Sequence, residues 1–259
     1  MRDPKILIDN GVNVEKSLEF FGDMATYDET LEIFSSEVLE KLEKIKRSKE
    51  NNSMPNYAIL VHSLKSDAKY FGFEVLAELA YQHEMESKAN NVAFVQANYD
   101  KLMEEANRII DIVKKYLNKT EVSVNTSNTL TPSNKKILIV DDSNIIRAVI
   151  QKIFENDYEI IHAVDGKQAI DIIESYKDNN ELAAILLDLY MPNVDGFAVL
   201  EYLKTNNLFD KIPVSIITGN EEEDIDQRVL SYPVVAILKK PFNEISIKSM
   251  VEKTINKAN

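Results

Sequence analysis

Along the first 118 residues, apolar side chains recur at intervals of three and four. Leu31, Phe34, Val38, Leu42 and Ile45 form one stripe, and Phe94, Ala97, Leu102, Ala106, Ile109 and Val113 trace a long final helix. That spacing keeps one face of a 3.6-residue helix apolar. Between them, Tyr57, Leu60, Val61, Leu64, Ala68 and Phe71 share one side of a helix that begins near Met54 and Pro55 and stops at Gly72. The region predicts an all-α helical bundle over residues 1–118. The pattern breaks at 119–134, KTEVSVNTSNTLTPSN, where Ser, Thr and Asn dominate and no apolar period survives, which marks a linker. From 135 to 259 the period changes again. Short apolar runs at 137–140, 158–164, 182–187, 213–218 and 234–238 alternate with amphipathic stretches, predicting a doubly wound α/β domain with a five-stranded parallel sheet.

Composition narrows the chemistry. The 259-residue chain has no cysteine, which removes disulfides, thiolate metal sites and thiol nucleophiles together. Its three histidines, His62, His83 and His162, are too scattered for a histidine-built zinc site. Any metal is therefore expected to be a hard cation on oxygen ligands. A net charge of -13 with no basic arm argues against direct nucleic-acid binding. The six glycines never cluster into a phosphate-cradling loop, which argues against a self-contained ATP-dependent kinase. Neither a long apolar span nor a signal-peptide pattern is present, so the chain is expected to be cytoplasmic, with no membrane partner.

In a doubly wound sheet, residues just after the strands gather at the carboxyl edge, where ligands bind. Asp141 and Asp142 close the first predicted strand, Asp188 the third and Thr218 the fourth, and Lys240 follows the fifth. Three carboxylates at close quarters repel one another, and an all-oxygen site with open positions suits Mg²⁺. The set has the parts for phosphoryl transfer: a carboxylate nucleophile, a metal, a lysine to take up phosphoryl charge and a hydroxyl to bind the product.

The paired aspartates, Asp188-Leu-Tyr-Met-Pro192 with Gly196, Thr218-Gly219 and Lys240-Pro241 occur in that order, and the region resembles the response-regulator receiver family over essentially all of 135–259. The resemblance implies a flavodoxin-like strand order 2-1-3-4-5 and Asp188 as phosphoacceptor. It implies Asp142 as a direct Mg²⁺ ligand, Asp141 acting largely through water, and the Tyr190 carbonyl as a further ligand. Lys240 would pair with the phosphoryl group and Thr218 would hydrogen-bond to it; a cis peptide is implied at Lys240-Pro241. The docking face would be the first receiver helix, with Ile145, Arg147 and Ala148 outward. Three positions depart from the family's pattern: Ile237 replaces an aromatic, Gly219 an alanine, and Pro233-Val234 a Gly-Ala pair.

At about 100° per residue, His62 points away from the apolar stripe of its helix, with Lys65, Ser66 and Lys69 on its own face. An exposed imidazole beside two ammonium groups is expected, able to attack phosphorus near neutral pH. The stretch from His62 through Lys65 to Gly72 resembles the signature of histidine-containing phosphotransfer (HPt) domains, with Ser66 where glycine is usual. This resemblance implies that His62 accepts and donates phosphate, that Lys65 assists, and that the bundle needs no metal. His83 and His162 match no motif and are taken as structural.

The two halves together predict a phosphorelay protein, a transfer protein rather than a turnover enzyme. Phosphate would move reversibly between His62 and an aspartate, either Asp188 or one on another protein. A linker of about 16 residues reaches roughly 20 to 24 Å, which permits transfer within the chain. Sensor histidine kinases and other receiver or HPt proteins are the implied partners, with no small-molecule substrate beyond phosphodonors. Two rivals use the same residues: a phosphorylation-independent interaction module, and a metal-dependent phosphohydrolase of the haloacid-dehalogenase kind, which normally has an Asp where Tyr190 stands. Bulky Tyr190 should shield an acyl phosphate on Asp188 from water. Replacing it by Gly or Asn is expected to shorten the lifetime of the phosphorylated domain in a phosphate-release assay, and an unchanged lifetime refutes the shielding.

Overall fold

The computed structural model describes residues 2–117, 133–219 and 227–257. The chain divides into two compact units, Met1–Thr126 and Ser127–Asn259. Apart from residues 133 and 134, the expected linker at 119–134 lies outside the described residues. Among the described residues no helix is long and apolar enough to cross a membrane.

The first unit is all-helical: α1 (Lys5–Ile8), α2 (Val14–Phe21), α3 (Met24–Glu50), α4 (Met54–Tyr70), α5 (Glu74–Lys88) and α6 (Val92–Leu117). Polar side chains start the helices where the sequence allows. Asn13 accepts from the Lys16 amide and Asp23 from the Thr26 amide. The end of α4 is fixed by Gly72 at φ +71. Its amide and that of Phe73 turn back onto the carbonyls of Lys69 and Ala68, at 3.3 and 2.8 Å, the Schellman arrangement that only a residue free to adopt positive φ closes cheaply. Below that turn Phe20, Phe21, Tyr27, Phe34, Phe71 and Phe73 form a continuous aromatic cluster with ring centroids 4.8 to 5.7 Å apart.

The α3 stripe is buried throughout. In α6 the expected stripe is corrected at its beginning: Ala97 is exposed, and Val95 and Tyr99 are buried instead. Running the alternation of three and four backward from Leu102 reaches Tyr99 and then Val95, so Ala97 is out of phase, while half-buried Phe94 packs edge-on against His83 with ring centroids 5.5 Å apart.

The second unit carries β1 (Ser133–Val140), α7 (Asn144–Phe154), β2 (Tyr158–Ala163), α8 (Gly166–Tyr176), β3 (Leu182–Leu187), α9 (Gly196–Thr205), β4 (Val214–Thr218), a 3₁₀ turn (Gln227–Ser231), β5 (Ile237–Lys239) and α10 (Glu244–Asn256). The strands form one parallel sheet in the order β2-β1-β3-β4-β5. Every residue of β3 and β4 is buried, as expected for strands covered on both faces. Strand ends differ from expectation for local reasons. Val164 leaves β2 because its amide is taken by the Gln168 side chain at 2.8 Å. Proline lacks the amide that a ladder needs, and β4 begins after Pro213. The β5 strand proper runs from Ile237 to Lys239, although Val235 and Ala236 before it already bond to Val214 and Ile216 of β4, at 2.8 and 2.9 Å. The α-helices that follow β1, β2, β3 and β5 each start on a side-chain cap, from Ser143, Asp165, Asp195 and Asn243.

In α7, Ile145 and Arg147 are buried, and only Ala148 of the three expected outward residues is partly exposed. Arg147 turns inward because its guanidinium donates to the carbonyl of Asp141.

Close backbone approach makes Gly196 a second glycine with a defined task. A Cβ there would strike the carbonyl oxygen of Asp188 and lie 2.8 Å from the Leu189 Cα. Gly196→Ala should cost the second unit on the order of 2–3 kcal/mol, read as a lower urea midpoint of its transition, and an unshifted midpoint would show that the turn relaxes freely.

Candidate functional site

Backbone bonds that run past the strand ends place the acidic cluster. The Asp141 amide donates to Ala163 O at 3.1 Å, the Asp188 amide to Val140 O at 2.8 Å, and the Lys240 amide to Thr218 O at 2.8 Å. The sheet register thus brings four strands' terminal residues together, and the Lys240–Pro241 peptide beside them is cis. Lys240 Nζ lies 2.5 Å from Asp188 Oδ2 and 2.7 Å from Asp141 Oδ2. The other oxygens of these carboxylates are held by amides, Asp141 Oδ1 by Ser143 N at 2.9 Å and Asp188 Oδ1 by Tyr190 N at 3.2 Å. Asp141, Asp142 and Asp188 each offer a carboxylate oxygen within 4.8 Å of the others.

The Lys240 ammonium bridges two of the three carboxylates, Asp141 and Asp188. Burial pushes the Asp141 carboxyl up to about 7; Lys240 pulls against this, and Asp188 and Asp142 reinforce it. A divalent cation on those oxygens would relieve the same repulsion. The Thr218 hydroxyl is buried with no hydrogen-bond partner among the described residues, a cost that a bound anion or water would remove. All five residues expected at the rim are therefore assembled. The Tyr190 ring meets the edge of Phe197 at 6.4 Å between centroids.

In the helical unit the structure corrects the sequence reading. The His62 side chain is 14 % exposed rather than fully solvent-facing, because its Nδ1 turns toward α5 and lies 2.8 Å from Glu84 Oε1. Lys65 is not a solvated neighbour but a buried one, its Nζ 2.8 Å from Glu84 Oε2, in ion-pair contact though without the angle of a hydrogen bond, and 5.5 Å from the Tyr81 ring centre. Lys88 Nζ also lies 2.8 Å from Glu84 Oε1. Glu84 is only 2 % exposed. Burial raises its carboxyl, but the hydrogen bond and charge of His62, together with Lys65, outweigh that and hold it well below the usual carboxylate range.

The sequence reading missed Glu84. Its signal was a charged residue in phase with Leu76, Ala80 and Ser87, all buried on the inner stripe of α5. Elsewhere on α4, Lys41 of α3 bridges Ser63, at 2.9 Å, and buried Asp67. His83 is fully interior: its Nδ1 is 2.8 Å from the Tyr57 hydroxyl and its Nε2 3.3 Å from Asn98 O. Burial lowers its pKa, against a smaller opposing pull from the Asn98 carbonyl. It is structural, as expected. His162 pairs with Gln151 at 2.7 Å, linking β2 to α7.

Comparison with known proteins follows this division. The response regulator receiver domain matches residues 137–252, and the Hpt domain matches residues 29–113. Sporulation initiation phosphotransferase F of Bacillus subtilis (strain 168) is 34 % identical over 121 residues, covering 46 % of this chain and 93 % of that protein. The chain belongs to the response regulator receiver family. Sensor histidine kinase TmoS of Ectopseudomonas mendocina is 26 % identical over 121 residues, which span 47 % of this chain but only 12 % of that kinase. Among solved structures, the receiver domain of the Francisella response regulator 1452 aligns with 26 % identity and a TM-score of 0.42, covering 48 % of this chain and 99 % of that one. With a receiver in one half and an Hpt domain in the other, the chain is a two-component phosphorelay protein.

The Asp141 environment predicts how the receiver responds to pH. Its folded carboxyl binds a proton more tightly than an unfolded aspartate of ordinary pKa near 3.9, so the contribution to stability falls as pH rises from about 4 through about 7. In metal-free buffer, calorimetric melting of the receiver half should drop across that window, and Asp141→Asn should flatten the drop. An equal slope in both proteins would assign the dependence elsewhere.

Proposed function

We propose that His62 and Asp188 are the two phosphoryl carriers of this chain, exchanging a phosphoryl group with each other or with partner aspartates and histidines. On this reading residues 1–118 act as the phosphohistidine domain, 119–134 as a linker and 135–259 as the receiver. The observation that carries it is the contact between His62 Nδ1 and Glu84. A carboxylate only accepts hydrogen bonds, so Nδ1 must carry the proton, and Nε2 is left with the lone pair that attacks phosphorus.

As the N–P bond forms, the ring gains positive charge, and the buried Glu84 carboxylate is already in place to balance it. The bond that breaks joins phosphorus to the donor's carboxylate oxygen, and the donor leaves as a carboxylate, so no proton need be lost from the attacking nitrogen. In the reverse direction Asp188 Oδ is the nucleophile. Lys240, already on Asp188 Oδ2, turns to the phosphoryl oxygens, and the Thr218 hydroxyl donates to one of them. Mg²⁺ on Asp141, Asp142, Asp188 and the Tyr190 carbonyl would neutralise the remaining phosphoryl charge when bound. The three converging carboxylates and the raised Asp141 support this choice. The chain acts by phosphoryl transfer, and its receiver catalyses its own phosphorylation and dephosphorylation. Its expected partners are histidine kinases and other receiver or Hpt proteins.

Incubation with acetyl phosphate or phosphoramidate and Mg²⁺, followed by intact mass, tests the assignment. Wild type should gain phosphate; Asp188→Ala should lose the metal-dependent part, and His62→Ala the part that is stable to alkali and labile to acid. Glu84→Ala should slow phosphorylation of His62 on the order of 10-fold, the effect of one charge-assisted hydrogen bond. A full mass gain in the double variant would place the chemistry elsewhere.

A further inference from the structure

The His62 site holds a basic group that the resemblance to phosphotransfer domains does not assign. Lys88, the last residue of α5, contacts the same Glu84 oxygen as His62 Nδ1, each at 2.8 Å. Its nitrogen therefore lies within twice that distance of the imidazole. Lys65 holds the other oxygen from below and is 4 % exposed, whereas the Lys88 side chain is 46 % exposed. One carboxylate thus faces two ammonium groups and a histidine, more positive charge than it can balance. A lysine has three donors on a flexible stem and keeps no fixed geometry on one oxygen.

On the phosphotransfer reading above, we propose that Lys88 is a second phosphoryl-binding residue: it rests on Glu84 while His62 is free and moves to the phosphoryl oxygens once Nε2 is phosphorylated. The charges favour this exchange. Forming the N–P bond makes the ring cationic and draws Glu84 to it, while the phosphoryl group brings up to two negative charges. Lys65 is buried against Glu84 and Tyr81. Lys69, one turn further along α4, has its ammonium form disfavoured by burial and by Lys65 and Lys16. Lys88 is the cation of this group best able to move without uncovering a buried charge. No atom is gained or lost in the exchange; one ion pair is traded for another.

The test uses the full chain in an Asp188→Ala background, so that phosphoramidate labels His62 without the receiver's acceptor. Lys88→Ala and Lys88→Arg are compared by the rate of labelling and by the ³¹P signal of the phosphohistidine as pH is varied. A lysine in contact with the phosphoryl group favours its dianion. Lys88→Ala should therefore raise the ³¹P titration midpoint by several tenths of a pH unit and slow labelling about 3- to 10-fold, with Lys88→Arg restoring both. If the ³¹P midpoint and the rate match the parent in Lys88→Ala, Lys88 does not touch the phosphoryl group and the proposal fails while the role of His62 stands. If the parent takes up no phosphate on His62 at all, the phosphotransfer reading falls, and this one with it.

Discussion

A carboxylate withdrawn from water must be matched by positive charge or take up a proton, and both candidate sites in this chain are organised around that demand. In the Hpt half, Glu84 is buried and remains ionised because His62, Lys65 and Lys88 surround it. In the receiver half, Asp141 and Asp188 are buried with the Lys240 ammonium between them, and burial makes Asp141 hold its proton more tightly. The same rule thus yields a buried carboxylate ringed by cations in one unit and a cluster of carboxylates around one lysine in the other.

That difference matches the chemistry proposed for each. A nucleophilic imidazole needs one proton held in a defined place and a nearby anion, and a carboxylate on the adjacent helix fixes the first and is the second. A nucleophilic carboxylate attacking a phosphoryl group faces repulsion at every step, and three converging carboxylate oxygens are a set that a hard cation would complete. The Thr218 hydroxyl at its margin, buried without a partner among the described residues, is a polar counterpart of the same demand.

Legibility followed the distance over which each feature is encoded. The carboxyl-edge residues could be read because a parallel sheet places the residue after every strand on one rim, so five positions scattered over a hundred residues become neighbours once the strands are recognised. The end of α4 at Gly72 could be read because a left-handed residue is a local requirement. Glu84 could not be placed beside His62, since the two lie 22 residues apart on different helices, and the rotation of α5 about its axis is set by packing. For the same reason Lys65 was expected in solvent when its ammonium is buried against that carboxylate. Arg147 was expected outward and is drawn in by the Asp141 carbonyl.

By itself, then, the sequence determined the two fold classes and the residues at the sheet's rim, because hydrophobic period and strand-end position are properties of the local chain. Only the tertiary structure decided that His62 Nδ1 faces Glu84, that Lys240 lies between two buried aspartates, and that a lysine at the end of α5 shares the histidine's carboxylate. Those depend on how side chains from separate helices and strands meet in the interior, where a small rotation of one element exchanges a neighbour for solvent.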